Sequence, residues 1–472
     1  MLIRTSRPRV YRANDLDVYK PEMWSEMGLM FLTESMVAAN LVHRDFEADF
    51  AKPGDVVNAQ RPIGFTANRK AKTSDIILQD ATAETVPVKL NQQITVPFAI
   101  DDVDMSLSAV DLIAKYSRPA AIAMARRFDN VVHSATHRFR TNMAGNLSTS
   151  MGKATILAAR EKLGTLNAPM EELFFLVNYP QETALLTLDE FTHVDKVGST
   201  EGLRNASIGR RYGFDFYTCK NAPSVGSSSM PAAVTGAING SGATAGATSL
   251  TVDGFTGDVA PAGAYITVAG DARPRRVVSS TLTLSNTTGI VIDSGLSADC
   301  ADNAVVTVCG KALVNKSGGY ANGYDEYITY DGAGSGKAPQ VGQLVSFGSG
   351  TPEYSIVKVN ANSDGTGTFE TDRPLEAAVS DNDRINLGPT GSYGFAGHRN
   401  ALALVVRPLH MPKAGVLSHS AIDPIAGSAL RVSIQYDIYA QKTVVVFDAL
   451  CGITVLDTDL GVNVMSNNFS AS

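Results

Sequence analysis

Apolar positions along this chain follow two periods. Between Pro119 and Thr141, PAAIAMARRFDNVVHSATHRFRT, they recur at Ile122, Ala125, Phe128, Val131, Val132, Ala135 and Phe139. That spacing approaches the 3.6-residue repeat of a helix. Arg126, Arg127, Arg138 and Arg140 leave the opposite face charged. At 1.5 Å per residue the helix would span roughly 35 Å, long enough to act as a spine. Pro119 suits a first turn, and Arg118 before it is pushed away from the α region. A break is therefore expected between the spine and a separate short helix over 105–117. A second helical pattern covers 21–43, where Trp24, Met27, Leu29, Met30, Phe31, Met36 and Val37 form a broad apolar side.

Elsewhere the alternation has period two. PGDVVNAQRPIGFTA and ETVPVKLNQQITVPFAI read as the two arms of a long β-excursion, with Val86, Val88, Leu90, Ile94, Val96 and Phe98 on alternate positions. Pro62, Pro87 and Pro97 cannot donate to a ladder and point to edges or bulges. A helix over 150–164, a buried strand at Leu173–Val177 and a helix from Pro180 follow. Short runs come next at Gly209–Arg211 and Phe214–Cys219. Near the C-terminus, Ala401–Val406 and three runs at 430–438, 442–449 and 453–464 read as sheet.

Composition shifts at Ala222. From there to about Asn386 the chain is rich in Gly, Ser, Thr, Ala and Val, with strand candidates separated by Gly- or Asp-containing turns. GATAGATSLTVDGFTG reads as a flexible lead-in, and the whole as a β-rich insertion with one barrel-like or sandwich core.

Charge and candidate chemistry add little to this mechanical picture. The net charge is −7, from 40 basic and 47 acidic side chains, with no basic domain to grip nucleic acid tightly. The N-terminus lacks a signal-peptide core, and no run of 18 apolar residues occurs. The chain reads as cytoplasmically made and soluble. Cys219, Cys300, Cys309 and Cys451 form no CxxC and read as free thiols, with Cys300–Cys309 a hairpin disulfide if the compartment oxidises. His133 and His137 are spaced as a two-ligand clamp, but no third ligand accompanies them, and they read as surface residues of the strut. Asp101, Asp102 and Asp104 read as an acidic lead into a helix rather than a cation site. The Gly-containing segments 202–213 and 329–342 lack a phosphate-binding signature. No nucleophile-and-base pattern is present, so no catalytic residue, metal or cofactor is expected.

The order of these stretches resembles the major capsid (coat) proteins of tailed bacteriophages, in particular those of short-tailed phages of enterobacteria. The excursion PGDVVNAQRPIGFTA…VPVKLNQQITVPFAI resembles that family's extended loop, and KYSRPAAIAMARRFDN the start of its spine helix. GLRNASIGRRYGFDFYTCKNAP resembles its apical strand–turn–strand. FAGHRNALALVVRPL with RVSIQYDIYAQKTVVVFDALCGITVLDTDLGV resembles its C-terminal sheet. The resemblance implies an α+β, Hong Kong 97-like fold. Its parts would be an N-terminal arm and helix (1–51), an extended β-hairpin loop (52–100), and a peripheral domain (101–190) with spine helix 119–141. An apical domain (191–224), a β-rich inserted domain (225–388) and an apical and peripheral return (389–472) would complete it.

The same resemblance implies a structural subunit forming hexamers and pentamers of an icosahedral shell around double-stranded DNA, which it would touch weakly and without sequence preference. Scaffolding protein, a portal at one vertex and a decoration protein are the partners it brings. The shell would assemble in the host bacterial cytoplasm and persist in the virion. Arg61, Arg69, Lys70, Lys72, Asp75, Asp80 and Glu84 of the loop, with Trp24, are the expected intersubunit contacts. Ile122, Phe128, Val132 and Phe139 are the expected core of the spine. In some relatives loop lysines form isopeptide crosslinks; Lys70 and Lys72 read instead as ordinary solvated or intersubunit lysines. The rival reading is a phage tail or surface protein binding carbohydrate through aromatics of the insertion: Phe255, Tyr265, Tyr320, Tyr324, Tyr327 and Tyr330.

Overall fold

The computed structural model describes residues 21–44, 56–60, 67, 69–70, 76, 85–101, 112–193, 204–206, 208–226, 230–412, 416–423 and 427–469. The arm 1–20, the acidic pair Asp102 and Asp104, and the loop residues Arg61, Lys72, Asp75, Asp80 and Glu84 lie outside them. The chain divides into two compact units. One comprises 1–35, 93–125 and 406–450; the other comprises 36–92, 126–405 and 451–472.

Helix α1, Pro21–Ser35, stops well short of the expected residue 43 and is followed by a 3-10 turn at Ala38–Asn40. The excursion divides in two. β1 (Val56–Gln60) pairs antiparallel with β2 (Thr85–Lys89), while β3 (Gln92–Asp101) leaves for another sheet.

Helix α2 runs unbroken from Leu112 to Thr136 with Pro119 inside it, so the break expected at Arg118 does not occur. Proline forfeits one hydrogen bond to the preceding turn. The neighbouring positions compensate by packing, since Ala120, Ala121, Met124 and Ala125 are all buried. The C-terminal half of α2 also departs from an amphipathic strut. Every residue from Val131 to His137 is buried, so no solvated face remains along that turn.

β4 (Met143–Gly145), α3 (Lys153–Thr165) and β5 (Leu173–Val177) follow. α4 (Tyr179–Leu186) starts at a capping box in which Asn178 and Gln181 bond each other's backbone N–H. α5 (Asp189–Thr192), β6 (Arg210–Arg211), β7 (Phe214–Thr218) and β8 (Ser224–Val225) complete this stretch.

The region after Ala222 holds two closed six-stranded barrels, not one core. The first is β9 (Val234–Ile238), β10 (Ser249–Asp253), β11 (Tyr265–Val268), β12 (Asp271–Thr283), β13 (Asn286–Ile292) and β14 (Val305–Val308). The second is β15 (Lys311–Val314), β16 (Ile328–Asp331), β17 (Leu344–Phe347), β18 (Glu353–Ala361), β19 (Gly367–Thr371) and β20 (Arg384–Leu387). The supposed lead-in GATAGATSLTVDGFTG supplies β10, whose Leu250 and Val252 point into the first core.

The barrels share one topology. Lettering the strands of each from a to f in chain order, both close in the cycle a-b-e-d-c-f. Individual backbone bonds correspond as well. Gly263 donates to Val277 and Gly342 to Ile356; Cys300 bonds reciprocally with Ala243, and Val379 with Tyr320. Asp293 accepts the N–H of Arg276 at 3.1 Å, and Asp372 that of Ser355 at 2.9 Å. Asn303 and Asn382 both take the left-handed conformation, at φ 63° and 62°. From Gly263 onward all these partners stand at one constant spacing in sequence. The region is a tandem structural repeat.

β21 (Gly391–His398), β22 (Leu402–Arg407), β23 (Leu417–Asp423), β24 (Ser428–Asp437), β25 (Lys442–Val455) and β26 (Gly461–Ser466) end the chain. The third C-terminal run expected at 453–464 therefore splits between β25 and β26. β23, β24 and β25 form an antiparallel meander, with β3 pairing β25. β26 instead joins the seven-stranded sheet of β4, β26, β21, β5, β7 and β6, with β8 on β21.

Candidate functional site

Chemistry-bearing residues in the larger unit gather along α2. Asp129 is buried, and its carboxylate accepts the backbone N–H of Val37 at 3.2 Å and of Ala39 at 3.1 Å. These N–H groups belong to the 3-10 turn, which has no side-chain cap of its own. The Cys219 thiol lies 3.8 Å from the same carboxylate. Burial raises the pKa of Asp129, against the lowering effect of the N–H donors. Burial and the adjacent carboxylate push the Cys219 thiol up to about 12, so it is unreactive at neutral pH.

His133 and His137 are 2 % and 4 % exposed, which corrects their reading as surface residues. Burial holds His133 near pKa 3 and His137 near 4, and neither Nε2 has a hydrogen-bond partner among the described residues. His137 packs edge-on against Tyr393 at 5.3 Å. His133 borders a cavity of about 290 Å3 with Asn130, Ser134, Asn221 and Ser355. Among the described residues no group of three His, Cys, Asp or Glu side chains could hold a metal ion. The four cysteines are free.

The arginines at the end of α2 make specific ion pairs. Arg127 meets Glu370 at 2.6 Å, and Arg140 bonds both Asp293 of the first barrel and Glu353 of the second. Arg140 also lies over the Tyr265 ring at 5.7 Å. Two of the arginines of the charged face, Arg127 and Arg140, thus fasten this segment to the barrels.

Of the expected spine core, Phe128, Val132 and Phe139 are fully buried; Ile122 is half-buried, and Phe139 sits in a 3-10 turn just past the helix. Arg69 and Lys70 are exposed. Trp24 is 3 % exposed, within the smaller unit, its ring tilted against Phe98 at 6.1 Å and edge-on to Phe447 at 6.5 Å. Its burial is already supplied by its own chain, which leaves almost no surface for a neighbour. In that unit a groove of about 870 Å3 lies between α1 and β23, bordered by Glu26, Met30, Glu34 and Ile422.

Residues 54–238 match the family model described as phage capsid protein. That segment is under half of the chain and ends in the first strand of the first barrel. No curated protein matches. Similar solved structures include the following three. One from Mycobacterium phage Che8 is 14 % identical, covering 91 % of this chain and 90 % of that one, with a TM-score of 0.43. The capsid structure of cyanophage P-SCSP1u is 11 % identical over 87 % and 84 %, with a TM-score of 0.38. The mature capsid of bacteriophage PhiM1 is 9 % identical over 88 % and 83 %, with a TM-score of 0.37. The family matched by residues 54–238 is a structural one.

Proposed function

We propose that this chain is the repeating subunit of an icosahedral phage shell, arranged as hexamers and pentamers around double-stranded DNA. The family match over 54–238 carries the reading. The extended loop 52–100, the peripheral domain 101–190 and the apical segments 191–224 and 389–472 would make the shell wall, with the duplicated barrels of 225–388 standing on it. Scaffolding protein would direct assembly and a portal would fill one vertex. A net charge of −7 keeps the wall from gripping DNA, so contact with the genome would be weak and non-specific. Kinship with short-tailed phages of enterobacteria belongs to the same proposal, as does assembly in the bacterial cytoplasm. The exposed Arg69 and Lys70, and Arg61, Lys72, Asp75, Asp80 and Glu84 around them, would set register between neighbours more than affinity.

Electron microscopy and sedimentation of the purified protein, alone and with its scaffold, test this. Closed shells or hexameric capsomers are expected; a persistent monomer or a trimeric fibre overturns the reading. The carbohydrate-binding alternative needs exposed stacking rings. Phe255, Tyr265, Tyr320 and Tyr330 are instead core residues, and lysines lie over Tyr324 and Tyr327.

A further inference from the structure

The two barrels serve as controls for each other, and one element differs sharply between them. β12 of the first barrel pairs with β11 as far as Arg276, and Val277 still bonds Gly263 and Ala264; from Val278 onward the strand pairs with β13 alone. Its other edge, Val278–Thr283, has no strand beside it among the described residues. Val278 is 52 % exposed, Leu282 46 % and Leu284 at the tip 94 %. From Val277 to Ile292, VVSSTLTLSNTTGIVI, there is no charged residue and no proline. An edge strand normally carries such features to prevent pairing with another chain.

The equivalent hairpin of the second barrel, β18–β19, has them. Lys358 stands on its exposed strand and bonds the Tyr327 hydroxyl at 2.8 Å. Its tip is covered, since the carbonyl of Ser363 accepts the N–H of Gly336 at 2.9 Å, and Asp364 closes the turn on Thr366. The first barrel's turn is also the more strained. Leu284 and Ser285 take φ of 50° and 65°, as a two-residue hairpin turn requires, in a place where Asn-Gly is favoured. Leucine is strained at a left-handed position, and its exposed side chain recovers none of that strain within the fold.

We propose that the free edge of β12, Val278–Thr283, pairs antiparallel with the same edge of a second copy of this chain. An antiparallel edge is self-complementary about a two-fold axis, so one uncharged strand supplies both halves of the contact. With no charges, nothing repels an identical strand and nothing selects a charged partner. The proposal rests on the shell reading only for the high local concentration of copies. The dyad would fall near Thr281, bringing the two Thr281 side chains together.

Thr281→Cys tests this, with Asn360→Cys at the matching site of the second barrel as control. Both are exposed positions. After mild oxidation, cross-linking is read on assembled particles and on concentrated unassembled protein. A covalent dimer from Thr281→Cys at least ten-fold above Asn360→Cys is expected, and adding Val278→Lys and Leu282→Lys should abolish it. Shells that form without the cross-link overturn the edge pairing while leaving the shell reading intact. If no shells form, absence of the dimer in concentrated protein overturns it too. Equal cross-linking at both sites, or a product with another protein, also defeats it.

Discussion

The carboxylate of Asp129, in the second half of α2, holds the backbone N–H of Ala39 at 3.1 Å from ninety residues away. With Val37 bonded to the same group, one side chain satisfies a turn that has no cap of its own. Asp129→Ala would leave these buried donors unpaired, at about 1–3 kcal/mol each in the worst case. Chemical denaturation should show a loss in that range or above. The folded pKa is raised, so the native state holds the Asp129 proton more tightly than the unfolded chain does. The stability of the wild type relative to Asp129→Asn should therefore be greatest at low pH. It should fall as pH rises through the window above 3.8.

The buried histidines work in the opposite direction. Their folded pKa values, near 3 for His133 and 4 for His137, lie below the ordinary 6.5, so only the unfolded chain binds these protons at mildly acid pH. Stability from this pair is complete above pH 6.5. It should drain away at up to about 1.4 kcal/mol per pH unit per histidine as pH falls toward 4. Urea midpoints between pH 7 and 4.5 should decline less steeply for His133→Gln/His137→Gln. Parallel curves for the two proteins would refute the assignment.

In the first barrel Arg275 and Asp271 form a buried pair at 2.5 Å, with Arg275 also bonding the carbonyls of Ser294 and Gly295. The second barrel has Tyr354 and Gly350 at the matching places, and the Tyr354 hydroxyl accepts the N–H of Glu376 at 2.8 Å. The fold thus tolerates a neutral solution here. Asp271→Ala alone should cost about 3–5 kcal/mol, because it strands a buried guanidinium. The double variant Asp271→Gly/Arg275→Tyr should recover at least half of that loss in thermal unfolding.

Pro119 is exposed and sits inside α2, where its ring removes the bond to the carbonyl of Lys115. Pro119→Ala should stabilise the helix by about 1 kcal/mol or more, after allowing for the stiffer unfolded chain that proline provides. A higher melting temperature checks this. A lower one would mean that the proline ring itself is needed for packing.

Much of the local order was legible in the alternation of residues. The strand Leu173–Val177, the runs Tyr265–Val268, Val305–Val308 and Leu344–Phe347, and the burial of Phe128 and Val132 follow from periods two and 3.6. These patterns depend on neighbours a few residues away, which the sequence displays directly. Where local preference and packing conflicted, packing prevailed. Pro119 predicts a helix start but lies mid-helix, because Ala121 and Met124 beside it gain more by burial than one hydrogen bond costs.

The sequence by itself determined the long helix around Phe128 and Val132 and the many short strands, because both follow from the local spacing of apolar residues. Only the tertiary structure decided that the Gly-rich region is one barrel built twice. The copies share few residues, Asp293 with Asp372 and Asn303 with Asn382 among them, and most of their likeness lies in backbone bonds such as Gly263 to Val277 and Gly342 to Ile356. Only the fold decided, too, that His133 and His137 are buried and neutral, and that Arg140 joins the two barrels. Burial and ion pairing are set by what the rest of the chain places around a residue, and those partners come from segments far apart in sequence.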